Sequence, residues 1–315
     1  MNAAFATAPT VSVVVPVHNV ETTVAETLRS LLAQTFRDFE VIVVDDGGTD
    51  GSMEIVGMFD DPRIRIRRQL NGGLNSARNA GLRLARGRLV AFLDADDLWR
   101  PDMLARHVAH FDAHPEVGIS YSPSALIGEN GRSLGIRQRP KLRDIGARDV
   151  ICRNPLGNGS AGVFRREVFD DVAFTDADGK PCWFDETFRQ STDIECWMRI
   201  VALSDWRFRG VPETLVQYRV CAGGLSANTE RQLMFWERAL AALADLRPDL
   251  AEAFGGLARA YQYRYLARRA VSARDGRGAW RFMRLALAED ARIVFQEPVK
   301  TATTLAAATA LRAIS

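Results

Sequence analysis

The chain has 315 residues, 47% hydrophobic and 25% charged, the profile of a soluble globular protein with room for one well-buried domain and a smaller appendage. Its 41 basic and 39 acidic residues nearly cancel, and a net charge of +2 gives no electrostatic reason to expect nucleic acid or an anionic membrane as the main partner. No run approaches eighteen consecutive apolar residues, no basic segment followed by an apolar core opens the chain, and Cys152, Cys182, Cys196 and Cys221 lack Cys-x-x-Cys spacing, so reduced thiols in a cytoplasmic protein are the expectation.

In chain order, Val11–Val15 is the first buried-strand candidate, and Pro16 is expected to end it because proline cannot donate to the ladder. A helix follows through Val24, Leu28, Leu31 and Leu32, with Thr23 and Glu26 as its capping box. Glu40–Val44 is a second buried strand, running into the turn Asp45-Asp46-Gly47-Gly48, and another short helix starts near Ser52. Arg63-Ile-Arg-Ile-Arg67 alternates strictly, which predicts a strand with one wet face nearer an edge. Asn71-Gly72-Gly73 precedes a helix whose small residues Ala77, Ala80 and Gly81 allow close packing.

Leu89–Leu93 is an apolar run of strand length that ends in Asp94-Ala-Asp96-Asp97. On an extended chain Asp94 and Asp96 project to the same side, and two like charges so close call for a cation, best a hard divalent ion with oxygen ligands. The alternative is an acidic loop in which Asp97 or Asp102 caps the helix opened by Pro101. Met103, Leu104, Val108 and Phe111 line that helix, Val117–Tyr121 makes a fifth strand, and the alternation argues for an α/β fold with a mainly parallel sheet and helices on both faces. His107, His110 and His114, at near-helical spacing, are read as a solvent-facing helix rather than a second metal site, because no carboxylate joins them at ligand spacing.

Beyond Ser124 the pattern weakens. Glu129-Asn-Gly-Arg132 reads as a hairpin turn, 137–158 as irregular structure, 191–201 as a helix and 214–220 as a strand. From about Asn228 three amphipathic sets, around Trp236, Tyr261 and Met283, predict a helical region over 228–315. Its last segment, Val299–Ile314, is alanine-rich; packing on the domain is the favoured role, with self-association or contact with a membrane surface beside it.

Four separated motifs, Pro16-Val-His18-Asn19, Asp45-Asp46-Gly-Gly, Asn71 to Gly81, and Asp94-Ala-Asp96-Asp97, resemble in order and spacing the nucleotide-sugar half of family 2 glycosyltransferases of the GT-A fold. The resemblance covers 11 to about 226 and continues in Phe184-Asp-Glu186, Asp193-Ile-Glu-Cys-Trp197 and Tyr218-Arg219. It implies a catalytic domain over 1–227, with a nucleotide-binding half at 11–124 and an acceptor half at 125–227. It also implies that Pro16, His18, Asn19, Asp46, Asn71, Arg78 and Asp94 contact the nucleotide sugar, that Asp94 and Asp96 hold Mg²⁺ or Mn²⁺, that Asp193 is the base, and that Arg219 contacts the diphosphate.

By this resemblance the chain moves a sugar from a nucleoside-diphosphate sugar, a UDP-sugar first, to a carbohydrate or lipid-linked acceptor, with inversion, in polysaccharide or glycoconjugate assembly. Two other classes compete. A nucleotidyltransferase would carry a glycine- and lysine-rich phosphate loop, and residues 11–22 contain neither. A non-catalytic nucleotide-sugar binder would not need Asp94, Asp96 and Asp193 together. The chain departs from the family at Cys221, where a histidine is frequent two residues past the arginine, and at Gly48, where serine is usual. A processive synthase is disfavoured, since Gln232-Leu-Met-Phe-Trp236 lacks the arginine of a Gln-x-x-Arg-Trp motif.

Overall fold

The computed structural model describes residues 8–176, 178–221 and 229–314. They form two compact units, one of residues 8–146 and 155–221, the other of 147–154 and 229–314. The boundary expected between 227 and 228 lies outside the described residues.

The first unit begins with β1 (Val11–Val17), α1 (Val24–Leu32), β2 (Phe39–Asp45), α2 (Ser52–Gly57), β3 (Ile64–Arg68), α3 (Leu74–Leu84) and β4 (Leu89–Phe92). A short β5 (Leu98–Trp99), α4 (Met103–Ala113), β6 (Val117–Tyr121) and the hairpin β7 (Ser124–Ile127) and β8 (Ser133–Arg137) follow. Segment α5 (Ala147–Arg153) belongs to the second unit. The first unit resumes with β9 (Gly162–Arg165), α6 (Arg166–Val172), β10 (Phe174–Thr175), β11 (Pro181–Cys182), α7 (Thr192–Leu203), β12 (Arg207–Gly210) and β13 (Val216–Arg219).

Seven strands make the main sheet in the order β12-β6-β9-β4-β1-β2-β3, parallel throughout except for β9, which runs antiparallel to both neighbours. The expected mainly parallel α/β sheet is thus present, with β3 at its edge. Helices cover both faces. Val11, Val13, Val15 and Val17 share one core with Val24, Leu28 and Leu31 of α1 and Met103, Leu104 and Phe111 of α4. On the opposite face a Cβ at Gly81 would overlap Val14, so the absence of a side chain there lets α3 lie on β1.

Pro16 does not end β1. The strand continues to Val17, pairing Pro16 with Val44 and Val17 with Asp45 of β2. Alternate residues face opposite neighbours, and Val14, on the β4 side, makes the last pair there, with Phe92. The donor that Pro16 lacks therefore points to the side where the ladder has already stopped. The capping box at Thr23 is also absent: Thr23 Oγ1 donates to Ala95 O at 2.9 Å, and Glu26 pairs with Arg219 instead.

Several elements were invisible as periods, α6, β5, β10 and β11 among them. The segment expected to be irregular contains α5, β9 is a four-residue strand inserted between β4 and β6, and β12 closes the far edge. The turn at Glu129–Arg132 does join a hairpin, with Gly128 N–H donating to Arg132 O at 2.9 Å, and β8 forms the edge of a second sheet, β5-β13-β7-β8.

The second unit holds α8 (Thr229–Leu246), α9 (Pro248–Ser272), α10 (Gly276–Glu289), α11 (Arg292–Gln296) and α12 (Pro298–Ala313) with α5. Its core joins Leu266, Ala267, Ala270, Phe282, Met283 and Ala308. Glu297 ties it together, pairing with Arg264 and, at 2.6 Å, with Arg153 of α5; these cations hold its carboxyl down at about 2 against the opposing effect of burial.

Candidate active site

Because β1, β2 and β4 are parallel, the segments that follow them leave the sheet at one edge, the usual place for a ligand in such sheets. Pro16 is the penultimate residue of β1, and His18 and Asn19 follow the strand into an exposed corner. His18 Nδ1 lies 3.1 Å from Asp46 O, Asn71 Nδ2 lies 3.2 Å from His18 Nε2, and Asn19 Oδ1 accepts from Thr49 N at 2.8 Å. Imidazole and amide thus tie the first two strand ends to the Asn71 loop.

The Asp46 side chain is buried. Its Oδ1 accepts from Gln69 Nε2 at 2.8 Å and Gly72 N at 2.9 Å, and its Oδ2 accepts from Gly73 N at 2.9 Å. The carboxylate expected to contact the nucleotide sugar is therefore mainly engaged in shaping the loop. Gly47, at φ +68°, allows the close approach: a Cβ there would lie 2.8 Å from Asn71 N. At Gly48, where a serine is usual, a Cβ would lie 3.2 Å from Asn19 N, so the smaller residue lets the two turns close together.

The second centre lies beyond β4. Arg78, buried on α3, donates from Nη2 to Asp94 Oδ1 at 3.0 Å and from Nη1 to Thr192 Oγ1 at 3.4 Å, its charge lying over the rings of Phe92 and Phe184. Thr192 and Asp193 open α7, so Arg78 joins the strand-end carboxylate to the start of the helix that carries the expected base. Burial raises the Asp193 carboxyl above the usual range, Arg78 pulls it back, and Asp94 adds a smaller upward push. Burial and the Asp94 charge push Asp96 up to about 6.

Sequence reasoning had Asp97 as a helix-cap candidate. It is fully buried, accepts from Ser160 Oγ at 2.6 Å and Arg219 N at 2.8 Å, and sits well above the carboxylate range because burial and two neighbouring carboxylates disfavour its charge. Asp102 heads α4 without a side-chain cap bond. Tyr218, left out of the expected site, has its phenol raised by burial and, in smaller part, by the charges of Asp97, Asp94, Asp96 and Asp193. No sequence period marks it, and only its place beside Arg219 in the last matching motif could have drawn notice.

Arg219 is buried, and each guanidinium nitrogen already donates: Nε to Asp96 O at 2.7 Å, Nη1 to Glu129 O at 2.8 Å, Nη2 to Glu26 Oε2 at 2.8 Å. The geometry shows it holding the Asp96 turn to the β7–β8 hairpin and α1. Cys221 lies near the same turn, its thiol raised by burial and by the Asp96 charge.

Among the described residues no three His, Cys, Asp or Glu side chains are arranged to hold a metal by themselves. A Mg²⁺-like ion needs only one or two carboxylates, with substrate phosphates and water completing its shell. Asp94 and Asp96 offer that, and the upward push of one on the other marks an excess of negative charge that a cation would relieve. The donor set is hard oxygen and fits.

The histidine helix does not simply face solvent. His107 is fully buried, its Nδ1 and that of His110 both lie 2.7 Å from Ser120 Oγ, and only His114 of the three remains toward the helix end. Ser120 on β6 supplies the polar partner for both imidazoles, His107 in the core and His110 half-buried beside it.

A family model described as "Glycosyl transferase family 2" matches residues 12–173. TuaG of Bacillus subtilis, provisionally named a teichuronic acid biosynthesis glycosyltransferase, is 36% identical over 224 residues, 70% of this chain and 82% of TuaG. WfaP of Escherichia coli, a UDP-Glc:alpha-D-GlcNAc-diphosphoundecaprenol beta-1,3-glucosyltransferase, is 28% identical over 71% of this chain and 82% of its own length. The chain spans about half, 52%, of an uncharacterized glycosyltransferase of Nostoc sp. at 34% identity. Among solved structures, the mannosyltransferase PcManGT of Pyrobaculum calidifontis in complex with GDP-Man and Mn²⁺ superimposes with a TM-score of 0.59 at 24% identity, over 98% of this chain and 87% of that one. With the family model spanning more than half of the chain and TuaG matched over most of its length, the chain belongs to glycosyl transferase family 2 and is a glycosyltransferase of the GT-A fold.

Proposed function

We propose that the first unit transfers a sugar from a nucleoside-diphosphate donor, a UDP-sugar, to an acceptor hydroxyl with inversion at the anomeric carbon. The observation that carries this reading is that Arg78 draws together Asp94 and Asp193, with Asp96 close enough to Asp94 to feel its charge. The nucleotide would lie against Pro16, His18, Asn19 and Asn71, beside the loop that Asp46 fixes. Asp94 and Asp96 would hold Mg²⁺ or Mn²⁺, which when bound neutralises charge building on the leaving diphosphate.

Asp193 is the group that takes the acceptor proton. Burial raises its basicity while Arg78 keeps the ionised form accessible, the balance a general base needs. As the acceptor oxygen bonds to the anomeric carbon, the bond from that carbon to the diphosphate oxygen breaks and the hydroxyl proton passes to Asp193. A single base and no covalent intermediate give inversion. Arg219 acts through the Asp96 turn, and its own diphosphate contact would require it to leave one of the partners described above.

The TuaG and WfaP names support polysaccharide or glycoconjugate assembly, and WfaP's supports a UDP-sugar and a lipid-linked acceptor. Among the described residues no helix is long and apolar enough to cross a membrane. Phe295, Val299 and Ile314 are exposed on the second unit, and they support a peripheral place at the cytoplasmic face of the membrane, or pairing with a second copy. A thermal-shift panel of UDP-, GDP- and dTDP-sugars with and without Mn²⁺ tests the donor: a Mn²⁺-dependent shift confined to UDP-sugars supports the reading, and a shift with GDP-sugars alone overturns its UDP part.

A further inference from the structure

Helix α3 does more than present Arg78. Its next residue, Asn79, is fully buried and makes four hydrogen bonds to one distant segment. Its Oδ1 accepts from Trp183 N at 3.1 Å and Phe184 N at 3.0 Å, and its Nδ2 donates to Phe184 O at 2.8 Å and Glu186 Oε1 at 3.0 Å. One turn earlier Asn75 Nδ2 donates to Asp185 O at 2.8 Å. Two asparagines on one helix face, four apart, thus satisfy the backbone of an irregular stretch that has no ladder of its own.

The same stretch is gripped from the other side by α7. Arg199 donates to Trp183 O and Val172 O, and pairs with Glu195 at 2.8 Å one turn away. Phe184 fills the space between, its ring edge-on to Trp197 at 6.3 Å and to Phe92 at 5.2 Å. Trp183 and Phe184 are therefore a shared bracket: Asn79 fastens them to the helix that carries Arg78, and Arg199 fastens them to the helix that opens with Thr192 and Asp193.

We infer that Asn79 is a positioning residue for transfer, setting the distance of Asp193 from the donor's anomeric carbon by fixing α7 to α3 through Trp183 and Phe184. The inference rests on Asp193 being the base. Asn79's hydrogen bonds run to Trp183, Phe184 and Glu186 and not to the residues read as the nucleotide's, so its removal should loosen the base while leaving donor contacts in place. A displacement near 1 Å at a reacting group costs about 10²-fold in rate.

The test is Asn79→Ala in the full chain, measuring donor affinity by calorimetry with Mn²⁺, kcat for transfer, and the ratio of transfer to donor hydrolysis. The expected result is donor affinity within about threefold of wild type, kcat down about 10²-fold, and a larger share of hydrolysis, since water needs no aligned acceptor. An unchanged kcat overturns the inference, and so does a loss of donor affinity matching the loss of kcat, the mark of a merely structural role. Should Asn79→Ala not fold, Asn75→Ala, which removes the single bond to Asp185 O, decides on the same readouts, with a smaller kcat loss expected. Asp193→Asn run alongside separates the two claims: if that variant turns over normally the base assignment fails, whereas a dead Asp193→Asn with a normal Asn79→Ala removes only the inference.

Discussion

Arg78 and Asp94, sixteen residues apart in the chain, meet at 3.0 Å with the arginine side chain 3% exposed and the carboxylate 25% exposed. The pair joins α3 to the strand end where the acidic group begins, and Thr192 brings the head of α7 to the same guanidinium. Breaking such a buried pair from one side leaves an uncompensated charge, so Arg78→Ala should lose about 3 kcal/mol of stability. Arg78→Lys keeps the charge but lacks the planar fork that reaches both partners. Thermal denaturation should place it between wild type and the alanine variant; a lysine variant as stable as wild type would show that charge alone matters.

Asp96→Ala should abolish the metal-dependent part of nucleotide binding while leaving the fold intact. Removing a buried carboxylate already crowded by Asp94 relieves repulsion in the metal-free protein. Calorimetric titration of UDP with and without Mn²⁺ reads both halves: the Mn²⁺ enhancement should vanish, and the melting temperature without metal should stay or rise.

Gly73→Ala tests the loop that Asp46 pins. Gly73 has φ +85° and ψ 173°, a region open essentially to glycine alone, and a Cβ there would run into the guanidinium of Arg189, which donates to Gly72 O. The substitution should cost about 1–3 kcal/mol. Donor affinity should fall with it, because Asn71 and Gly72 belong to the same turn. Wild-type donor affinity in a destabilised variant would separate the loop from the nucleotide site.

The buried imidazoles predict a pH dependence of stability. Burial lowers His107 to about 3 and, with the His114 and Arg209 charges, His110 to about 4, so both stay neutral in the folded protein at pH values where the unfolded chain binds protons. The unfolded state therefore holds more protons below about pH 6.5, and stability falls as pH drops from there toward 4, by about 1.4 kcal/mol per pH unit for the buried His107 and by less for the half-exposed His110, which solvent screens. Denaturant melts at pH 6.5, 5.5 and 4.5 should show His107→Asn with a shallower slope than wild type; parallel slopes would place the acid sensitivity in the carboxylates.

The strand-end motifs were legible because a short apolar run followed at once by carboxylates or asparagine is what a parallel strand leaving its sheet must look like. Leu89–Phe92 before Asp94 and Val41–Val44 before Asp46 both obey it. Strand β9 was not legible: four residues flanked by a 3₁₀ turn and a helix offer no period, and its place between β4 and β6 is set by pairing with both. Asn79 was hidden for a different reason. On a helical wheel it reads as one polar residue among others, and its partners lie more than a hundred residues away. Arg219 was visible as a cation near the acidic group, but sequence could not tell a side chain that meets the diphosphate from one spent on the carbonyls around Asp96.

The reading of the site stands or falls on Asp193. With donor and acceptor in hand, single-turnover transfer and donor titration on Asp193→Asn should show donor affinity close to wild type and transfer slower by about 10²–10⁴-fold, the contribution of a general base. Near-normal transfer by that variant would contradict the account and remove Asp193 from the chemistry.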